Sequence, residues 1–261
     1  MASSSLFAPS RWSSPSRSYN DSNLQVDEEL TNLKTWESSM TRIPDAETFC
    51  SGLACLERLY TCADNLLSLP LTQQAFSNYQ HDKLVEELLV RSMRLLDSCG
   101  TIGDVVSQVK AHVRDIRSAQ RRRKEDLSID DSFVKKLNKD AKKAVGELKQ
   151  IDQIYGSKPL NLEHHLSSVI AVLRDVSEVS ISVFGLLLSF LSLSITKLKS
   201  TSKWSTVWKL IQQKETAGSK YPSETCVETL DSHVEGIEIG LTSMFRNLIR
   251  TRASILNIKS F

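Results

Sequence analysis

The chain has little of what several fold classes need. Nine glycines and six prolines in 261 residues leave few turns for many short strands, so an all-β fold is disfavoured. Five cysteines, an odd number, do not form a secreted disulfide framework and favour a reducing compartment. The 33 basic and 31 acidic residues nearly balance, so bulk charge indicates neither nucleic acid nor an acidic partner. The remaining composition, 40% hydrophobic and 25% charged, is that of a chain able to bury a core.

Residues 1–23 are predicted to be a disordered, serine-rich tail. They contain nine serines and no acid before Asp21. Such a segment buries too little apolar surface to offset an ordering cost of about 1–2 kcal/mol per residue. It lacks the continuous apolar run of a secretory signal, and its composition fits a transit peptide or a phosphorylatable tail.

From Val26 onward, apolar residues recur at spacings of three and four, which places them on one face of a helix. The predicted helices run from Val26 to a stop near Pro44, and then over 49–69, 84–99, 102–121, 134–156 and 162–199. A short amphipathic piece holds Trp204 and Trp208, and a long helix follows from Val227 to Ile258. Pro70 and Gly100 are the predicted breaks on either side of the third helix, with Thr72 as the N-cap of a new helix after Pro70.

The fold class predicted from these segments is all-α, an elongated antiparallel helical bundle with a long coiled-coil-like C-terminal helix. The region 24–261 is predicted to be a single domain, with a possible subdivision near 156–160. The last helix repeats apolar residues in alternating steps of three and four, the pattern of a coiled-coil seam. The candidate helix–helix interface consists of Leu230, Val234, Ile237, Leu241, Met244 and Leu248.

The stretch 179–196 has eighteen consecutive residues without a charge, at the lower edge of what can span hydrocarbon. Six of them are Ser or Thr, and small residues line one stripe while Leu, Ile and Phe line another. A buried helix of a soluble bundle is the favoured interpretation, and attachment to a membrane is the alternative.

A basic contact patch is predicted where four cations follow one another: Arg121, Arg122, Arg123 and Lys124. They could contact acidic lipid or protein, form a nuclear import signal, or simply end a solvated helix. Nucleic acid is disfavoured because acids follow directly and no aromatic residues interleave to stack on bases.

No catalytic, cofactor-binding or metal-ligating residues are identified. The glycines stand singly, without a phosphate-binding fingerprint. His164 and His165 are adjacent, hence about 100° apart on a helix, and cannot share a metal as an i, i+4 pair can. Cys50, Cys55 and Cys62 lack zinc-site spacing and are interpreted as small apolar residues. We therefore expect a protein that is not an enzyme and needs no cofactor.

Several stretches resemble a land-plant family known as domain of unknown function 241, the BYPASS-like group. They are VDEEL at 26–30, LLSLPLTQQA at 66–75, LLDSCGTIGD at 95–104, SAQRRRK at 118–124, LDSHVEGIE at 230–238 and LIRTRASILN at 248–257. The resemblance covers nearly the whole chain after the tail. It implies a helical flowering-plant protein associated with root and shoot development, and it supplies no active-site residues.

The leading hypothesis is a non-enzymatic interaction or signalling protein whose partner surface is a helix groove or the C-terminal seam. The acids at 231–238 and the arginines at 246–252 suit an antiparallel partner helix, from the same chain or a second copy. The alternative is a peripheral membrane adaptor that binds acidic lipids through the basic patch and the uncharged helix. The cytoplasm is the expected compartment, with the membrane periphery or the nucleus as alternatives.

Overall fold

The computed structural model describes residues 15–40, 46–77, 83–122, 131–152, 164–198 and 224–260, and all regular structure in these ranges is α-helical. The helices are α1 (Pro15–Ser39), α2 (Ala46–Leu67), α3 (Pro70–Ser77), α4 (Lys83–Arg121), α5 (Asp131–Asp152), α6 (His164–Leu198) and α7 (Glu224–Ser260). The all-α prediction is confirmed. The amphipathic piece predicted around Trp204 lies outside the described residues.

The predicted break at Leu69–Pro70 separates α2 from α3, but the new helix begins earlier than expected. Pro70 is the first residue of α3, a position where its missing N–H is not needed and its fixed φ suits the helix. The Gln73 N–H donates to the Leu69 carbonyl at 3.0 Å. Thr72 is therefore inside the first turn and is not the N-cap. It is fully buried, with its hydroxyl 3.3 Å from Nε2 of His165 in α6.

The helix end predicted at Gly100 is wrong, because α4 runs unbroken from Lys83 to Arg121. Its buried face continues across the glycine through Leu95, Cys99 and Ile102. Burying one such side chain contributes about 1.5–3 kcal/mol, whereas a glycine inside a helix costs about 1 kcal/mol. Packing therefore outweighs the local preference for a helix end.

Helix α1 begins within the region expected to be a tail. Its anchors are Val26, Leu30 and Leu33, all buried in the core. Extending an existing helix by one residue is far easier than nucleating one, and Pro15 is tolerated in the first turn. Residues 15–23 are thus helical, while residues 1–14 of the predicted tail lie outside the described residues.

The buried apolar residues of the described helices form one connected core to which all seven contribute. The most extensive helix pairs are α4 with α7 and α2 with α7. Helices α4 and α7 run in opposite directions, since Lys110 bonds Glu238 while Ser92 bonds Arg252. The core therefore places α7 between α2 and α4.

Helices α2 and α7 run in the same direction, so the bundle is not antiparallel throughout. Glu57 bonds Ser243, and further along both helices Asp64 bonds Ser254. Their close approach depends on glycine, because a Cβ at Gly240 would lie 2.9 Å from Leu53 Cδ1. The elongated shape, the coiled-coil form of α7 and the single-domain organisation stay predictions.

Candidate interaction surfaces

The predicted seam of α7 lies inside the chain's own core. Val234, Ile237, Leu241, Met244 and Leu248 are each at most 4% exposed. The Cys99 thiol of α4 donates to the Leu241 carbonyl at 3.7 Å, so α4 covers this face directly. The side chain of Leu230, the sixth predicted residue, lies outside the described residues. The seam is therefore an intramolecular helix–helix interface in the folded chain.

The acids at the start of α7 pair with α4 of the same chain. Lys110 hydrogen-bonds Glu238 and lies 3.5 Å from Glu235, and Ser107 donates to Glu238 at 3.2 Å. The hydrogen bond from Lys110 lowers the pKa of Glu238, and the same bond raises the pKa of Lys110. The antiparallel partner that these charges predicted is thus α4.

A second acidic contact on this side extends the pairing by a further turn. Asp231 is 3.2 Å from Arg117 and 3.6 Å from Arg114, measured from carboxylate oxygen to guanidinium nitrogen. The Asp231 side chain is 14% exposed, whereas Arg114 is 56% exposed. The pairs fix the register of α4 against α7 and add little stability where they are exposed.

The arginines near the end of α7 have different partners. Arg252 donates to the Leu89 carbonyl and to the Ser92 hydroxyl of α4, the latter at 3.1 Å. Arg250 lies 3.9 Å from Asp64 of α2, which also accepts a 2.9 Å bond from Ser254. Arg252 binds neutral groups, so its positive charge is not offset by an acid at this contact.

An exposed apolar surface, which we call the outer strip, is formed by half-exposed side chains of the adjacent helices α4 and α7. Its side chains are 38–49% exposed and consist of Val90, Met93, Phe245, Ile249 and Leu256. The Arg252 contacts to Leu89 and Ser92 place these residues of α7 beside the turn of α4 that precedes Met93. Phe245 also approaches Gly100, where a Cβ would lie 3.9 Å from its ring.

Sequence reasoning missed the outer strip because it assigned the apolar residues of α7 to the seam alone. A signal was present: Phe245, Ile249 and Leu256 are four and seven residues apart, a second stripe next to the seam. Ile239 is 65% exposed but lies apart, six residues before Phe245 and on another side of α7.

The outer strip has a cationic border. Apart from buried Arg91 and from Glu87 and Arg250, which pair with Arg174 and Asp64, the stretches 83–97 and 245–257 carry four cations and two acids. The cations are Lys83, Arg94, Arg246 and Arg252, and the acids are Glu86 and Asp97. An apolar surface with this border is electrostatically complementary to an acidic partner.

The predicted basic patch is described only in part. Arg121 and Arg122 are exposed at the end of α4, and the Arg122 side chain donates to the Ser118 carbonyl at 3.2 Å. Arg123 and Lys124 lie outside the described residues. Exposed lysines of α5 follow later in the chain.

The uncharged stretch of α6 packs into the core as far as its side chains are described. Val183, Phe184, Leu187 and Leu188 are at most 1% exposed. On the small-residue stripe, the Ser182 hydroxyl donates to Glu37 of α1. None of the helices in the described ranges combines the length and apolar character that a membrane span needs.

Two potential nucleophiles of the described residues, Cys99 and Tyr60, are buried. Burial raises the pKa of the Cys99 thiol to about 12, so it is not a thiolate near neutral pH. Burial also raises the pKa of Tyr60, whose hydroxyl is 3.0 Å from that of Ser180. Among the described residues, no three His, Cys, Asp or Glu side chains are grouped to hold a metal ion.

A cleft of about 530 Å³ opens between α2, α3 and the end of α7. It brings together two of the stretches that carried the family resemblance, 66–75 and 248–257. Its lining is neutral and consists of Leu67, Ser68, Pro70, Gln73, Gln74, Ser77, Ser254, Asn257 and Ile258. Without an ionisable side chain, this lining offers hydrogen bonds but no general acid or base.

A protein-family model described as "Protein BPS1" matches residues 52–258, from the first turns of α2 almost to the end of α7. No curated protein and no solved structure matches the chain. The matched range contains α4, α7, the outer strip and the cleft. The chain therefore belongs to the BPS1 family, the plant domain of unknown function 241 family that its sequence motifs indicated.

Proposed function

We propose that this BPS1-family protein is a non-enzymatic interaction protein of plant development that binds a partner helix on the outer strip. The observation that carries the proposal is the row of Phe245, Ile249 and Leu256, half exposed on one face of α7, with Val90 and Met93 exposed on the adjacent α4. Single exposed apolar residues are ordinary, whereas an aligned group marks a contact surface. The developmental role comes from the family alone.

The partner that fits best is an amphipathic helix with acidic flanks. Phe245 and Leu256 are eleven residues apart, about 16 Å along α7, which matches three turns of a helix laid in the groove. Such a helix presents apolar anchors at i, i+3 or i+4, and i+7. Acidic residues beside these anchors would meet the cationic border of the outer strip.

The expected association is moderate and depends on salt. Completing the burial of five half-exposed side chains gains roughly 1 kcal/mol each, from a full value of about 1.5–3 kcal/mol. A gross gain of about 5 kcal/mol is close to the lower estimates for the cost of association. Ion pairs with Arg94 and Arg246 must supply the remainder, and salt screens such exposed pairs.

Proximity labelling in root tissue tests the proposal with two matched variants. Ile249→Asp places a charge in the outer strip, while Ile239→Asp places the same charge on α7 outside it. We expect Ile249→Asp to lose a partner that the wild-type chain and Ile239→Asp both label. The purified partner should then bind wild type at least tenfold more tightly than Ile249→Asp. Identical labelling by both variants would overturn the proposal.

Self-association through the outer strip is a distinct outcome of this experiment. If the labelled partner is a second copy of the chain, light scattering of purified protein will detect a dimer that Ile249→Asp converts to a monomer. The cytoplasm is the compartment we propose, and the free cysteines at 50, 55, 62 and 99 support a reducing environment.

The alternative of a peripheral membrane adaptor has support for its basic part only. The apolar residues of α6 that would contact lipid are packed in the core. The cations at the end of α4 are exposed, and they adjoin in sequence a helix whose lysines lie on one face.

A further inference from the structure

Helix α5 carries six lysines, and all six are exposed: Lys135, Lys136, Lys139, Lys142, Lys143 and Lys149. At 3.6 residues per turn they fall within an arc of about 140°, less than half of the helix circumference. The whole helix has only two more cations than acids, six against four. Its positive charge is therefore concentrated by geometry, and we call this surface the lysine face.

The acids of α5 between Lys135 and Lys149 stay at the margin of this arc. Asp140 and Glu147 point to one side of it, at about 120–140° from the Lys135 direction. The Lys143 Nζ lies 3.7 Å from Glu147 Oε1, so this ion pair is at the margin of the arc. Lys135, Lys139, Lys142 and Lys149 lie on the side of the lysine face away from these acids.

The opposite side of α5 holds the lysine face in a fixed orientation. Val134, Leu137, Ala141, Ala144 and Leu148 are at most 2% exposed. The Phe133 ring stacks on His112 of α4, with 4.2 Å between ring centroids. Because α5 packs on α4 and α6 along this side, its lysines cannot turn inward without unfolding the helix.

We propose that the lysine face is a binding site for the anionic headgroups of a lipid bilayer. Lys135 and Lys149 are fourteen residues apart, about 21 Å along one straight helix, so a flat surface can meet the whole row at once. Lysines near an anionic leaflet add their contributions, and no individual headgroup needs to be recognised.

The composition of the lysine face favours lipid over nucleic acid. It has no arginine to hold a phosphate with two parallel hydrogen bonds, and no aromatic ring on which a base could stack. Gly146 lies within the arc and is exposed. It has no side chain that could hydrogen-bond to a base edge, as sequence-specific binding of nucleic acid requires. A diffuse row of ammonium groups suits a diffuse layer of negative charge.

This site is independent of the proposed partner surface. The outer strip uses residues 90–93 of α4, whereas α5 contacts α4 at His112. Loss of either activity therefore leaves the other measurable. The two surfaces share no residue, because the lysine face belongs to α5 alone and the outer strip to α4 and α7.

Vesicle sedimentation of the full chain tests the site. The vesicles contain one part phosphatidylserine to two parts phosphatidylcholine, or phosphatidylcholine alone. We expect binding to the anionic vesicles only, with progressive loss as salt rises. The double variant Lys139→Gln with Lys142→Gln should bind about 25-fold more weakly, from about fivefold for each lysine removed.

A matched control removes the same charge elsewhere. Lys34 of α1 and Arg58 of α2 are exposed and lie outside both α5 and the outer strip, so Lys34→Gln with Arg58→Gln should leave vesicle binding within twofold. Equal losses for both pairs would show that net charge alone is responsible and would overturn the site. Binding to duplex DNA or to single-stranded RNA more tightly than to the vesicles, or no binding to anionic vesicles at low salt, would overturn it as well.

Discussion

The contact between α1 and α2 provides the sharpest stability prediction, at Gly52. A Cβ built there would lie 2.2 Å from Cζ2 of Trp36 and 2.5 Å from its Cε2. The Trp36 ring is held in place, because its Nε1–H donates to the Thr48 carbonyl at 3.0 Å and its edge meets Phe49. Gly52→Ala therefore forces the whole indole to move, which costs more than moving the end of a flexible side chain would.

The expected magnitude is the balance of two effects. Alanine is about 1 kcal/mol better than glycine inside a helix. Overpacking costs typically about 1–3 kcal/mol, and loss of the indole hydrogen bond costs about 0.5–1.5 kcal/mol more. We expect Gly52→Ala to lower the free energy of unfolding by about 1–3 kcal/mol, although the substitution raises helix propensity.

Urea unfolding followed by circular dichroism measures the effect, with Gly146→Ala as the control. Gly146 is exposed in α5 and a Cβ there meets nothing within 4 Å, so alanine should stabilise by about 0.5–1 kcal/mol. In a Trp36→Ala background, Gly52→Ala should become neutral or stabilising. If Gly52→Ala stabilises the otherwise unaltered chain as Gly146→Ala does, then α1 does not pack on α2 at Trp36.

Three further predictions concern α7 and its neighbours. Leu248→Ala should lower the free energy of unfolding by about 2–5 kcal/mol, whereas Ile249→Ala, at the next residue, should change it by less than about 0.5 kcal/mol. Urea unfolding midpoints measure both, and equal effects would contradict the assignment of Leu248 to the seam and Ile249 to the outer strip. Because the folded-state pKa of Glu238 is lowered, its stabilising contribution is present above the unfolded value and is lost as pH falls through the folded one. When the pH falls from 7 into the acid range, Glu238→Gln should therefore lose less free energy of unfolding than wild type does. An equal loss in both proteins would contradict the pairing of Glu238 with Lys110. With its pKa raised to about 12, Cys99 should resist alkylation at mildly alkaline pH until urea unfolds the chain, and peptide mapping that finds it labelled in native protein would contradict its burial.

The strongest sequence signals correctly predicted the all-α class, although not every helix boundary. The period of α7 anticipated that Val234, Ile237 and Leu241 share a buried face, and the proline at position 70 correctly marked a boundary. Both signals are local, because side-chain spacing and proline geometry act within one or two turns. The all-α class followed from them.

The errors arose where tertiary packing outweighs local preference. Gly100 lies inside α4 because the buried face on both sides of it packs against α7. Thr72 was predicted to be an N-cap but is buried against His165 of α6. Because His165 is 93 positions away in the chain, the sequence gave no sign of this contact. The parallel direction of α2 and α7 likewise depends on contacts between distant segments.

The candidate surfaces were anticipated only in part. The sequence identified α7 as the interface helix but could not tell which of its apolar stripes faces α4 and which faces solvent. For the basic region it indicated only the run at 121–124. Only the burial of Val134, Leu137 and Leu148 shows that the α5 lysines share the opposite, exposed face.

A photoreactive side chain placed at position 249, and in a second variant at position 239, tests most directly whether the outer strip is the partner surface. Both residues are exposed isoleucines of α7 in the native chain, 46% and 65% exposed. The proposed function predicts that illumination in root tissue joins an acidic helical partner to position 249 and leaves position 239 without that adduct. An adduct with the same partner at both positions, or at position 239 alone, would contradict it.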